Sequence, residues 1–281
     1  MREVTKCARS RVPAAYETFE TVIRILFVGD IQGSAGRRAV SKMLKALRSS
    51  VDAHLVIANG ENAAGGLGIT RPTALALFDA GIDVITLGNH TFAKREVAAY
   101  LDEEPRILRP ANYPPGVPGR GWGVFRTSRG ERACVASLMG RTFMHPIDCP
   151  FRTADAIIDE IAGESRVLIV DMHAEATSEK VALGWYLDGR ASAVIGTHTH
   201  VQTSDERMLP NGTAYITDAG MTGVHDSVLG MDVNSVIERF KTQVTGKFAL
   251  AEGSARLQGV VIEVDTETGR AMSIERLDVK E

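Results

Sequence analysis

Ile23-Arg-Ile-Leu-Phe-Val28 runs straight into Gly29-Asp30, and this junction decides how the rest of the chain is read. A run so rich in β-branched and aromatic residues predicts a strand, and the carboxylate after it lies at the strand's carboxyl end. The same arrangement recurs twice. His54-Leu-Val-Ile-Ala58 runs into Asn59-Gly60-Glu61-Asn62, and Asp83-Val-Ile-Thr-Leu87 runs into Gly88-Asn89-His90. Helical patterns follow over Arg37–Leu47, from Thr70-Arg-Pro72 onward, and over Lys94–Leu101. Thr70 reads as an N-cap, and Pro72 suits a helix's first turn. The order βαβαβα predicts an α/β fold with a parallel sheet and helical crossovers.

Outward from this core the rhythm breaks and then resumes. Pro110–Arg120 is rich in Pro and Gly and reads as a loop. Val124–Thr127 and Arg132–Leu138 flank Ser128-Arg-Gly130 as a hairpin. Helices are predicted over Thr153–Ala162 and Ser178–Leu187. Val167-Leu-Ile-Val170 is a strand before Asp171-Met-His173, and Ala193-Val-Ile195 one before Gly196-Thr-His198-Thr-His200. Thr213–Thr217, Val260–Val264 and Met272–Leu277 complete the strands, the last two joined by a turn at Glu267-Thr-Gly269. No repeat of fixed period is present, so residues 23–281 read as one domain. Residues 1–22 carry Arg2, Lys6, Arg9, Arg11 and Pro13 without the apolar stretch of a secretory signal. They read as a dispensable extension.

The 281 residues are 44% hydrophobic and 24% charged, ordinary for a folded chain with a sizeable core. No apolar run approaches the roughly 18 residues of a membrane helix. A net charge of −3 argues against a broad basic surface for nucleic acid. Cys7, Cys134 and Cys149 form no CxxC pair, which fits a reducing cytoplasm better than a disulfide framework.

Asp30, Glu61, Asn62, Asn89, His90, His173, His198 and His200 all closely follow strand runs. In open α/β sheets the carboxyl edge is where ligands bind. Two carboxylates, two amides and four imidazoles suit Mn, Fe or Zn. They are too many for one tetrahedral ion and fit two adjacent ions sharing a bridging carboxylate. His54 opens a strand and reads as packing, whereas His225 is a candidate for the site's mouth. Asp171 and Glu175 are candidate partners for His173 or a neighbouring ligand. Arg71 and Lys180 read either as phosphate contacts or as solvated helix positions. Gly65-Gly66-x-Gly68 lacks dinucleotide spacing and reads as close backbone access near the metals.

In this order the motifs resemble the calcineurin-like metallophosphoesterase superfamily. Three features depart from it: Gln32 stands where that pattern has its first His, Glu61 where it has a bridging Asp, and the last motif reads Gly-Thr-His-x-His rather than Gly-His-x-His. Longer stretches resemble the YmdB-type bacterial phosphodiesterases: Gly60–Thr70, Asp171–Lys180, Gly196–Thr203, and Gly212–Gly223 with Asp226-Ser227. The resemblance runs from about Ile23 to the C-terminus. It implies a four-layer α-β-β-α sandwich, a di-iron or di-manganese centre, and hydrolysis of 2′,3′-cyclic nucleotides. It further implies that Asp30, Asn62 and His200 hold one ion and Asn89, His173 and His198 the other. Glu61 would lie between them, His90 would be the general acid, and Asn62 would take the role that Gln32 leaves vacant.

The chemistry of such a site follows from charge. Two cations about 3.5–4 Å apart neutralise a phosphodiester and hold a hydroxide for in-line attack. The departing alkoxide needs a proton, which His90 would supply for a gain of about 10²–10⁴-fold. RNA ends are an alternative substrate. A broader phosphomonoesterase or nuclease, and an RNA-associated regulatory protein with secondary catalysis, are the competing readings. No membrane partner is expected, and a homo-oligomer stays open.

Overall fold

The computed structural model describes residues 21–281 apart from 245 and 247, so Cys7 and the extension up to residue 20 lie outside the described residues. In chain order the strands are β1 (Val22–Val28), β2 (Asp30–Ile31), β3 (Leu55–Asn59), β4 (Val84–Thr86), β5 (Ile107–Leu108), β6 (Trp122–Arg126) and β7 (Arg132–Met139). They continue with β8 (Val167–His173), β9 (Ala193–Thr197), β10 (Arg207–Met208), β11 (Ala214–Ile216), β12 (Met221–Val224), β13 (Ala255–Asp265) and β14 (Ala271–Lys280). The helices are α1 (Gly33–Ser50), α2 (Arg71–Ala80), α3 (Val97–Glu103), α4 (Pro150–Glu160), α5 (Thr177–Tyr186) and α6 (Val233–Thr242).

The parallel sheet read from the βαβαβα order forms part of one of two mixed sheets. The first has the order β2-β12-β13-β1-β3-β4-β5, with β14 on β13, and the second β10-β11-β9-β8-β7-β6. The expected parallel run survives as β1-β3-β4-β5. The C-terminal hairpin then extends it antiparallel through β13. β1 begins one residue earlier than expected, with Val22 opposite Asp265. The Thr21 carbonyl accepts both the backbone N–H and the hydroxyl of Thr266, each at 2.8 Å.

Alternation along the strands sorts side chains into two faces. Ile25, Phe27, Ile57 and Ile262 of the first sheet meet Val135, Ile169, Ile195 and Ile216 of the second in one buried cluster. On the opposite face, Leu26, Val28, Val56 and Ile85 pack against Val40 and Leu44 of α1, Leu77 of α2 and Leu101 of α3. Beyond the second sheet, Ala136, Val170, Val194 and Tyr215 pack against Ile157 of α4 and Leu183 of α5. Each fully buried Leu, Ile or Phe contributes about 1.5–3 kcal/mol.

Thr70 and Thr73 form the capping box that starts α2. α1 begins four residues before the predicted start, at Gly33. α6 was not foreseen; Asp232 caps it by accepting the Ser235 N–H at 2.8 Å. No described helix is long and apolar enough to cross a membrane.

Candidate metal centre

The carboxyl ends of the two sheets meet at one edge, and all eight nominated residues lie there. They fall into two groups. In one, Asn89 Oδ1 lies 2.9 Å from His173 Nε2, and His198 Nδ1 lies 3.1 Å from that same nitrogen. In the other, His200 Nε2 lies 3.2 Å from Asn62 Nδ2 and 3.8 Å from Asp30 Oδ1. Glu61 touches both, with Oε1 3.1 Å from His173 Nε2 and 3.4 Å from Asn62 Nδ2. Glu61, His173 and His198 make the tightest set, offering ligand atoms within 4.8 Å of one another. His90 sits beside Asn62 rather than in either group, its Nδ1 2.7 Å from Asn62 Oδ1. The backbone N–H of His90 donates to Glu61 Oε2 at 3.0 Å.

Glycine permits this closeness. A Cβ on Gly88 would collide with the His173 ring and Glu61 Oε2. A Cβ on Gly196 would run into the Thr217 carbonyl, where β9 opens into the His198–His200 turn.

Each imidazole of the two groups has one nitrogen tied back and the other facing inward. His173 Nδ1 lies 2.8 Å from Thr197 Oγ1, whose hydroxyl donates to Asp171 Oδ1 at 2.6 Å. His198 Nε2 lies 3.1 Å from Glu175 Oε2. His200 Nδ1 lies 3.1 Å from the Leu229 carbonyl. Such ties fix tautomer and ring orientation in metal sites. Asp171 also accepts from Asn59 Nδ2 and the Thr86 hydroxyl, at 3.0 and 2.5 Å.

Electrostatics follow the crowding. Burial would raise the Glu61 carboxyl, yet His173 and His90 hold it well below the ordinary range. Burial would lower His173, but the Glu61 carboxylate outweighs that and lifts it to about 9. Burial and the charge on His173 push His198 down to about 3. Burial raises Asp30, against the pull of His200 and His173, and raises Asp171 to about 6.

One basic residue needs correction. Lys180 is neither a solvated helix position nor a phosphate contact: it is fully buried, donating from Nζ to Asp218 Oδ2 at 2.8 Å. Arg71 is the solvated helix position of the two readings, exposed and paired with Glu103 at 2.9 Å. His54 is the packing residue expected, its Nδ1 accepting the Arg24 N–H at 2.9 Å. His225 turns to the Met221 carbonyl at 3.0 Å and does not line the cavity over the cluster.

The sequence reading missed Thr197, Asn59, Thr86 and Asp218. Their signal was a polar residue within or just beyond an apolar strand. Asp218 Oδ2 also accepts the Thr199 N–H and hydroxyl at 3.0 and 2.7 Å, so it anchors the turn between His198 and His200.

The arrangement of two packed mixed sheets is shared with solved structures, one of them a phosphatase. A crystal structure of a phosphatase from Mycoplasma pneumoniae aligns at TM-score 0.86 and 34% identity, covering 92% of this chain and 94% of that one. The chain belongs to the YmdB-like protein family, whose model matches residues 26–277. It is 51% identical over 255 residues to the 2′,3′-cyclic-nucleotide 2′-phosphodiesterase of Bacillus subtilis (strain 168), covering 91% of this chain and 96% of that protein. A crystal structure of a hypothetical protein from Thermus thermophilus aligns at TM-score 0.86 and 45% identity, over 92% of this chain and all of the other.

Proposed function

We propose that the chain is a dimetal phosphodiesterase that opens 2′,3′-cyclic nucleotides. The observation that carries this reading is the pair of donor groups joined by Glu61, each with imidazole nitrogens turned inward. The relative from Bacillus subtilis supports the substrate class. The stacked apolar clusters support the four-layer α-β-β-α arrangement, and residues 23–281 act as one domain.

The donors fit metal ions. Asp30 Oδ1 is buried without a hydrogen-bond partner, an arrangement a cation would satisfy. Asp30, Asn62 and His200 would hold one ion, Asn89, His173 and His198 the second, and Glu61 both. Carboxylate, amide and imidazole donors together suit Fe or Mn. When bound, the two ions offset the phosphoryl charge and make water acidic enough to serve as nucleophile near neutral pH.

The protein's own groups complete the reaction. Asp171 and Thr197 keep the Nδ1 proton on His173, leaving Nε2 free as a donor atom. Glu175 keeps the proton on His198 Nε2, leaving Nδ1 as the donor atom, and the Leu229 carbonyl keeps that of His200 on Nδ1, leaving Nε2. His90 donates from Nδ1 to Asn62 Oδ1, so it is as imidazolium, with Nε2 also protonated, that it gives a proton to the ribose oxygen as the P–O bond breaks. The product is a 2′- or 3′-monophosphate. Unpaired Cys134 and Cys149 are in keeping with work in the reducing cytoplasm.

Metal analysis together with turnover of 2′,3′-cyclic nucleotides, bis(p-nitrophenyl) phosphate and p-nitrophenyl phosphate tests the reading. Two ions per chain and fastest cleavage of the cyclic nucleotide are expected. Preference for the monoester would assign a phosphatase instead.

A further inference from the structure

A cavity of about 650 Å³ opens over the cluster, with Glu61, Asn62, His90, His198 and His200 at one end. Its other end is built by α6. Val236, Arg239, Phe240 and Gln243 all line it, and their i, i+3, i+4, i+7 spacing puts them on one helix face. Phe248 completes this wall, with the Arg239 guanidinium 4.8 Å from its ring centroid.

Two features of the cavity lack a partner among the described residues. Phe240 is 76% exposed, an apolar ring facing water beside a polar centre. Gln32 lines the wall near the cluster, and its Oε1 is buried with no hydrogen-bond partner. The cavity therefore joins the donor cluster to a wall that carries two aromatic rings and a guanidinium.

We propose that the α6 face is the nucleobase subsite for the cyclic nucleotide, a reading that rests on the phosphodiesterase function above. Phe240 and the Arg239–Phe248 pair stack on the base. Stacking on rings and guanidinium planes tolerates any base, because every base has a π-face. A rival place for the base is the cavity by Asn89, Phe143, Met144 and His145, where Phe143 is 89% exposed. At about 290 Å³ that cavity falls just under the ~300 Å³ at which ligand pockets begin, whereas the α6 cavity lies well inside the range.

The test compares kcat/KM for adenosine 2′,3′-cyclic phosphate with that for ethylene phosphate, a five-membered cyclic diester without sugar or base. Full-length, metal-loaded protein is used. The ratio should fall about tenfold or more in Phe240→Ala and recover in Phe240→Trp. Phe143→Ala should keep the wild-type ratio. A ratio unmoved in both Phe240→Ala and Phe248→Ala overturns the subsite, as does a fall in Phe143→Ala instead. A change in oligomeric state of Phe240→Ala by light scattering assigns the face to a second copy and also overturns it. Wild-type protein inactive on both diesters overturns the phosphodiesterase reading itself, whereas activity on both with an unmoved ratio removes the subsite alone.

Discussion

The first sheet brings mainly oxygen to the site and the second brings nitrogen. Asp30, Glu61, Asn62 and Asn89 follow or open strands of the first sheet, with His90 beside them, whereas His173, His198 and His200 end or follow strands of the second. The two halves are also held differently. On the first sheet, Gly65, Gly66 and Gly68 take the left-handed backbone that the loop after Asn62 requires. On the second, His198 and His200 themselves adopt positive φ, +95° and +62°. Such non-glycine residues cost on the order of 1–3 kcal/mol each and persist only where the surroundings over-determine them. Here the surroundings are Asp218, bonded to the intervening Thr199 and backed by buried Lys180, and Asp30, whose Oδ2 accepts the His198 N–H at 3.1 Å. The nitrogen half is a strained turn clamped by a buried ion pair; the oxygen half is a relaxed loop.

Glu61 joins the halves, so Glu61→Gln should do most damage. Both ions should be lost together, with activity down about 10³-fold or more, since metal stabilisation is worth several kcal/mol. Elemental analysis beside Asp30→Asn and His173→Ala, which should each empty mainly one position, checks this. Full occupancy in Glu61→Gln would break the joining role.

His90 belongs to the oxygen half by position but not by task. His90→Ala should keep both ions yet lose about 10²–10⁴-fold on a 2′,3′-cyclic nucleotide. On bis(p-nitrophenyl) phosphate, whose leaving group needs little protonation, the loss should be much smaller. Equal losses on both substrates would assign His90 a purely electrostatic part.

The clamp can be tested without touching a donor. Asp218→Ala leaves Lys180 buried and unpaired, which should destabilise the fold by about 3–5 kcal/mol. Denaturant unfolding measures that, and metal content should fall at the position of His198 or His200. Unchanged stability would remove the contrast between the two halves.

A gentler change is Thr197→Val, which cuts the link from Asp171 to His173 Nδ1. Metal affinity should drop about 10–100-fold, read by chelator competition, as for other groups that orient ligands. Smallest of all, deleting residues 1–20 should leave melting temperature and turnover unchanged. β1 and its pairing with β13 begin at Val22, so the cut stops before Thr21 rather than after residue 22. A fall in melting temperature would show that the extension supports the first sheet.

Much of the site was legible because strand ends are legible. A short apolar run followed by Asp, Glu-Asn, Asn-His or His-x-His announces which residues leave the core at one edge. The helix start at Thr70 was readable from its capping residue, and the hairpin of β6 and β7 from the turn between them. α6 was missed although Asp232 and the spacing of Val236, Ile237 and Phe240 were available signals. It stands outside the strand-helix alternation that guided the reading, and Val236 is its one buried side chain.

The sequence by itself determined the donor types, their order and the strands that carry them, because local propensity and alternation act over a few residues. Only the tertiary structure decided how β13 and β14 turn one parallel run into a mixed sheet, and how a second sheet faces it. It also decided the fate of Lys180. Whether a lysine on a helix meets water, phosphate or a buried carboxylate depends on a partner 38 residues away, and a charge stays buried only where such a partner is brought within reach.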